Sequence, residues 1–215
     1  MVALSELVHQ NFTSEVLTYL GQNVRQGAIA YQEFMASNYN FLGDGADLRG
    51  RLQGFAVNRQ FELEAAKTAS SFFVSRRPLN AFKTRALILT TTDFIVSVCR
   101  TMKPSKLPCK ANYKLELAQG NREYDQQVVL FQDENKKLSA DLPLKYAVLG
   151  YRIEGGEVLH LNLMIPDSSF ESVLYIENLL EYAKRGFSYV PSVPVEETLA
   201  SLKSEYSRHS KAENF

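Results

Sequence analysis

The stretch from Lys145 to Gly186 constrains the fold more than any other, because each of its junctions carries a start or stop signal. Tyr146 to Ile153 is apolar and rich in β-formers. Glu154-Gly155-Gly156-Glu157 follows, with two glycines able to take the positive φ of a tight hairpin turn. Val158 to Ile165 then alternates: Leu159, Leu161, Leu163 and Ile165 fall on one side, Val158, His160, Asn162 and Met164 on the other. That is the period of a half-buried antiparallel strand. Pro166 cannot donate to a ladder and closes the strand. Asp167, Ser168 and Ser169 suit the cap of a following helix, and Phe170, Val173, Leu174, Ile176, Leu180 and Ala183 keep near-helical spacing. Lys184-Arg185 before Gly186 mark the end of that helix. The unit predicts a hairpin packed by one long helix.

The segments upstream extend this pattern. Ala86 to Thr90 and Phe94 to Arg100 flank Thr91-Thr92-Asp93 and predict a second hairpin. Tyr113, Leu115 and Leu117 alternate with Lys114 and Glu116 as a further strand, Gly120-Asn121 makes a turn, and Val128 to Phe131 adds another strand before the polar loop Asp133 to Lys137. Short turns without strand–helix–strand alternation predict an antiparallel sheet of five or six strands, a meander of hairpins. Residues 1–71 are expected to form a helical N-terminal subdomain. Ser14 suits the cap of a helix reaching Ser37, whose stripe Leu17, Leu20, Val24, Ala28, Tyr31 and Met35 recurs at steps of three and four. Gly21 and Gly27 either weaken that helix or let another helix approach closely. Asp47 suits the cap of a second helix from Leu48 to Ser71, broken near Asn58. The class is α+β: residues 72–186 hold the sheet and its helix, continuous in core with the first part. Residues 187–215 form a linker with Pro191 and Pro194 and a short terminal helix carrying Val195, Leu199, Leu202 and Tyr206, which is marginal unless it docks.

Charge carries the functional expectation. Between Arg76 and Lys114 stand Arg76, Arg77, Lys83, Arg85, Arg100, Lys103, Lys106, Lys110 and Lys114 against one acid, Asp93, a net of +8 in a chain whose formal total is zero. A segregated basic segment can follow a phosphate backbone, and Phe72, Phe73, Phe82 and Tyr113 beside it suit base stacking. The leading expectation is a non-catalytic binding or regulatory protein that contacts nucleic acid through residues 76–114. The first alternative is a protein-interaction module or homo-oligomer acting through the terminal helices. The second is a metal-dependent nuclease or other hydrolase, on Asp125 with Glu134-Asn135-Lys136.

No other chemistry is legible. His9, His160 and His209 have no metal-ligand spacing, and no glycine-rich phosphate loop, nucleophile elbow or cofactor motif occurs. His160, sharing a strand side with Asn162, reads as a hydrogen-bonded structural histidine rather than a base. Cys99 and Cys109 are too few for a disulfide scaffold: Cys99 suits a buried strand position, and Cys109, after Pro108 in a basic loop, is a candidate reactive thiol. The longest apolar runs fall short of a membrane span, and the N-terminus lacks the basic and apolar regions of a secretory signal, so a cytoplasmic protein is expected.

Overall fold

The computed structural model describes residues 3–38, 46–67, 72–78, 85–125, 144–184 and 197–204. The order is α1 (Leu4–Asn11), α2 (Ser14–Ser37), α3 (Ala46–Lys67), β1 (Phe73–Pro78), β2 (Arg85–Thr90), β3 (Phe94–Arg100), α4 (Asn112–Ala118), a 3-10 turn (Gln119–Tyr124), β4 (Lys145–Glu154), β5 (Glu157–Pro166), β6 (Val173–Asn178) and α5 (Leu180–Lys184). Residues 197–204 form a sixth helix, α6. The six strands make one sheet in chain order. Four of its ladders are antiparallel, while β3 and β4 run parallel with Phe94 opposite Lys145. The α+β class and the mostly antiparallel sheet agree with the sequence, but the meander is interrupted at this parallel seam. The chain between β3 and β4 is long enough for the crossover that a parallel pair requires.

The sheet is sandwiched between helical layers. One face carries Leu87, Leu89, Phe94, Val96, Leu149, Leu161 and Leu163 against Val16, Leu20 and Val24 of α2, Phe61 of α3 and Ala183 of α5. The opposite face carries Ile95, Cys99, Tyr146, Val148 and Met164 against Leu115, Leu117 and Ala118 of α4 and against Phe170. This second layer explains why β5 is not half-buried as its alternation suggested: every residue from His160 to Pro166 is buried. The polar members of the alternation, His160 and Asn162, therefore lie inside and need hydrogen-bond partners.

Three local expectations fail for physical reasons. The helix expected over Phe170–Ala183 is instead β6 followed by the short α5. Val173-Leu174-Tyr175-Ile176 is a β-branched and aromatic run that suits a strand. The Asp167 carboxylate, rather than capping a helix, accepts from the backbone N–H groups of Glu171 (2.7 Å) and Ser172 (3.2 Å) and closes a turn. In that turn Phe170 takes φ 56° with its ring buried. Asn178 caps α5 by accepting from Leu180 N at 2.9 Å. The alternation of Tyr113 to Leu117 belongs to α4, since five alternating residues also fit a turn and a half of helix. Helix α3 runs unbroken through Asn58. The expected strand Val128–Phe131 and the loop Asp133–Lys137 lie outside the described residues. Among the described residues the sheet has six strands, of which β1 and β6 were not expected.

Both glycines of α2 mark close approach. A Cβ on Gly21 would stand 2.7 Å from Ala183 N of α5, and one on Gly27 would stand 2.6 Å from Val57 Cα of α3. The tight pair α2–α3 carries a second cluster of Ala30, Phe34, Leu52 and Ala56, and Leu202 of α6 completes it. Thr198 of α6 donates to Gln60 Oε1 at 2.8 Å. The terminal helix thus docks on the body. Asn121 holds the 3-10 turn to the sheet: Nδ2 donates to Tyr146 O and Pro166 O, and Oδ1 accepts from Tyr146 N, all at 2.7–2.8 Å.

Candidate functional site

Strand alternation divides the basic run between the two sheet faces. Arg76 lies opposite Leu87, shares its face, and ion-pairs with Glu62 of α3. Arg77, one residue on, turns to the other layer and pairs with Glu116 of α4 at 2.8 Å. Arg85 is exposed at the start of β2. Arg100 ends β3 in the parity of Phe94 and Val96, with its guanidinium against Gly50 of α3. Lys114 is buried; its ammonium donates to Cys109 O at 2.8 Å and lies 5.8 and 6.0 Å from the ring centroids of Tyr113 and Phe170. Lys110 is exposed and pairs with the exposed Glu171 at 2.8 Å. Lys103 and Lys106 are exposed on the loop between β3 and α4. Lys83 lies outside the described residues. Of the neighbouring aromatics, Phe72 and Tyr113 are buried, Phe73 is 72 % exposed, and Phe82 is not among the described residues.

The eight described basic residues therefore divide among different surroundings, but Lys103, Lys106 and Lys110 share one loop, and that loop is held firmly. Thr101 extends the parallel ladder by donating its N–H to Tyr151 O at 2.9 Å. Its hydroxyl meets His160 Nε2 at 2.8 Å. Arg152 Nη1 donates to Met102 O at 3.0 Å, and Asn162 Nδ2 donates to Pro104 O at 2.7 Å. Lys106 N closes a turn on Lys103 O, and Leu107 packs into the apolar cluster beneath α4. Thr101, His160 and Asn162 are all buried, so three side chains from β5 and the end of β3 spend their hydrogen bonds on the loop. What the loop shows to water is Met102, at 72 % exposure, Pro104, Ser105, Cys109 and the three lysines.

Electrostatics around the loop follow from this packing. Burial and the neighbouring Arg152 cation hold the His160 pKa below the ordinary imidazole value, opposed by a hydrogen bond to the Thr101 backbone. Arg152 is also bound to the Glu154 carboxylate. The alternating polar side of Val158–Met164 was the sequence signal for His160 and Asn162. Their partners stand 58 and 59 positions away, two of the loop's ties end on backbone carbonyls, and no sequence pattern announces either fact.

Asp125 accepts from Ser168 N at 3.0 Å and from the Ser168 hydroxyl, while Glu134, Asn135 and Lys136 lie outside the described residues. Among the described residues no group of three or more His, Cys, Asp or Glu could hold a metal ion. Cys99 is partly buried, with Sγ 3.6 Å from Ser97 Oγ, which in turn meets Tyr146 OH at 2.6 Å. Burial, followed by the nearby Cys99 thiol, pushes both Tyr113 and Tyr146 well above the ordinary phenol value, so neither is a proton donor near neutrality. Cys109 is exposed. The α2 stripe and α6, expected to want partner surfaces, pack against the chain's own sheet and helices. No helix among the described residues is long and apolar enough to cross a membrane. Compared with known proteins, the chain matches no family model, no curated protein and no solved structure.

Proposed function

We propose that the chain is a binding protein whose loop Thr101–Lys110 contacts the phosphate backbone of a nucleic acid. The observation that carries this reading is the investment in the loop: buried Thr101, His160 and Asn162 fix its path, and every charged residue it leaves facing water is a lysine. A rigid scaffold presenting an exposed loop is the usual way to build a binding surface. Preorganisation lowers the ordering cost of each phosphate contact. The Lys110–Glu171 pair does not block the site, because an exposed ion pair is worth only about 0–1 kcal/mol and a phosphate can displace the carboxylate.

The same geometry favours contact without base reading. The loop bears no exposed aromatic side chain, and Tyr113 of α4, the nearest ring in sequence, is buried. Phosphate contact alone positions a protein without specifying a sequence. Fluorescence anisotropy with single-stranded DNA, duplex DNA and RNA across a salt series tests the proposal. Three lysine–phosphate contacts give a slope of log K against log salt of about −2.7 on duplex and about −2.1 on single strands. Lys103→Glu, Lys106→Glu and Lys110→Glu together abolish binding at low salt. An unaltered affinity in that triple variant, or no binding by the parent chain at low salt, overturns the proposal.

A further inference from the structure

We propose that His160 is an acid-operated latch on the lysine-bearing loop, closed when the ring is neutral and released when it gains a proton. The inference rests on the reading of that loop as the binding surface and adds a means of regulating it. Its basis is the order of three ties. Arg152 of β4 and His160 of β5 stand directly opposite each other in the ladder, and Asn162 follows two residues along the same face. These three side chains hold Met102, Thr101 and Pro104 respectively. Every tie to the loop's first four residues, apart from the Thr101–Tyr151 backbone bond, runs through this one row of side chains.

A proton on His160 disturbs two of the three ties at once. The ring is 7 % exposed, and charging a buried imidazole is penalised by lost hydration. The Arg152 guanidinium acts on it from the facing position of the ladder, and like charges directly opposite on adjacent strands repel. Glu154 is committed to Arg152, Asn162 is neutral, and among the described residues no carboxylate is bound to the imidazole. The repulsion is relieved when the ring turns toward water, which abandons Thr101, or when Arg152 swings away, which abandons Met102. Either movement frees the backbone that presents Lys103. The sign is fixed: burial and Arg152 depress the pKa in the closed state, so the closed loop binds fewer protons than the released one. Closure is complete above the ordinary imidazole pKa of about 6.5 and is lost as pH falls below it.

Heteronuclear NMR of the full chain separates this latch from the binding proposal. The His160 ring signals are expected to titrate below pH 6.5, and the amide signals of Thr101, Met102 and Lys103 to move or broaden with the same midpoint. In His160→Gln those amides stay unchanged from pH 7.5 to 5, about the range of the imidazole titration. In Thr101→Ala, which removes the tie and keeps the ring, they already show the released pattern at neutral pH. A His160 midpoint at or above about 6.5, or loop amides that ignore its titration, overturns the latch. Oligonucleotide anisotropy at both pH limits provides the independent arm. Binding that persists with a pH-insensitive loop refutes the latch alone. A loop that releases on schedule, with no oligonucleotide bound at any pH, refutes the binding proposal alone.

Discussion

Gly27→Ala destabilises this fold even though alanine is the better helix former. In an open helical position the change is worth about 1 kcal/mol in favour of alanine. At Gly27 the new Cβ would stand 2.6 Å from Val57 Cα, 2.9 Å from Val57 N and 3.0 Å from Val57 Cγ2. The first two atoms are α3 backbone, which no rotamer change can move aside. Restoring an ordinary carbon–carbon contact of about 3.6 Å requires α2 and α3 to separate locally by roughly 1 Å. That separation loosens Val24, Ala28 and Phe61, all buried in the main core. Overpacking of this kind costs about 1–3 kcal/mol, and a backbone obstacle places it at the upper end, so the net loss is about 2 kcal/mol. Gly54 of α3 is the matched control, since its Cβ would meet only Tyr151 OH at 3.8 Å. Gly54→Ala is expected to stabilise by up to about 1 kcal/mol. Urea unfolding of both variants reports the difference as opposite shifts in midpoint at constant slope. A Gly27→Ala midpoint equal to or above that of the parent chain, with Gly54→Ala behaving as expected, refutes the close α2–α3 packing.

Asn121→Ala removes three buried hydrogen bonds and takes the amide partner from Tyr146 N, Tyr146 O and Pro166 O. At about 1–3 kcal/mol for each group deprived of this partner, the expected loss is at least about 3 kcal/mol, measured by the same unfolding experiment. The two thiols separate by accessibility: Cys109 is exposed and Cys99 partly buried in the α4 layer. A chromogenic disulfide reagent therefore titrates one thiol quickly in the folded chain and the second on unfolding. Two equally fast thiols would contradict the packing of Cys99.

The legible parts of the fold are those whose physics is local. The β4–β5 hairpin was readable because Gly155 and Gly156 both take positive φ and the flanking runs have strand period. The β2–β3 hairpin and helix α2 were readable for similar reasons, although Thr13 rather than Ser14 supplies the cap, accepting from Val16 N. What sequence could not supply is the second helical layer. Without α4 and the loop before it in place, Val158–Met164 looks like a strand wet on one side, and although His160 reads as a hydrogen-bonded histidine, its partner is not legible. The same ignorance misled the charge argument. Arg76 and Arg77 are neighbours in sequence, yet one meets Glu62 on α3 and the other Glu116 on α4, because a strand sends successive side chains to opposite faces. Only the segment free of regular structure, where alternation does not apply, keeps its cations together. Asp167 shows the remaining kind of failure: its carboxylate can cap a helix or close a turn, and the β-forming run after it decides which.

The parallel seam divides the sheet into two three-stranded sets, β1–β3 and β4–β6, each assembled from strands close in sequence. Within each set, pairing proceeds by short closures, whereas the seam joins residues about fifty positions apart. The loop entropy of that closure must be met before the seam yields any contact, so each set is expected to form before the seam joins them. The tether that carries the lysine-bearing loop is thus also the span that closure of the seam must bridge. Shortening it would be felt in the refolding rate before it was felt in any binding measurement.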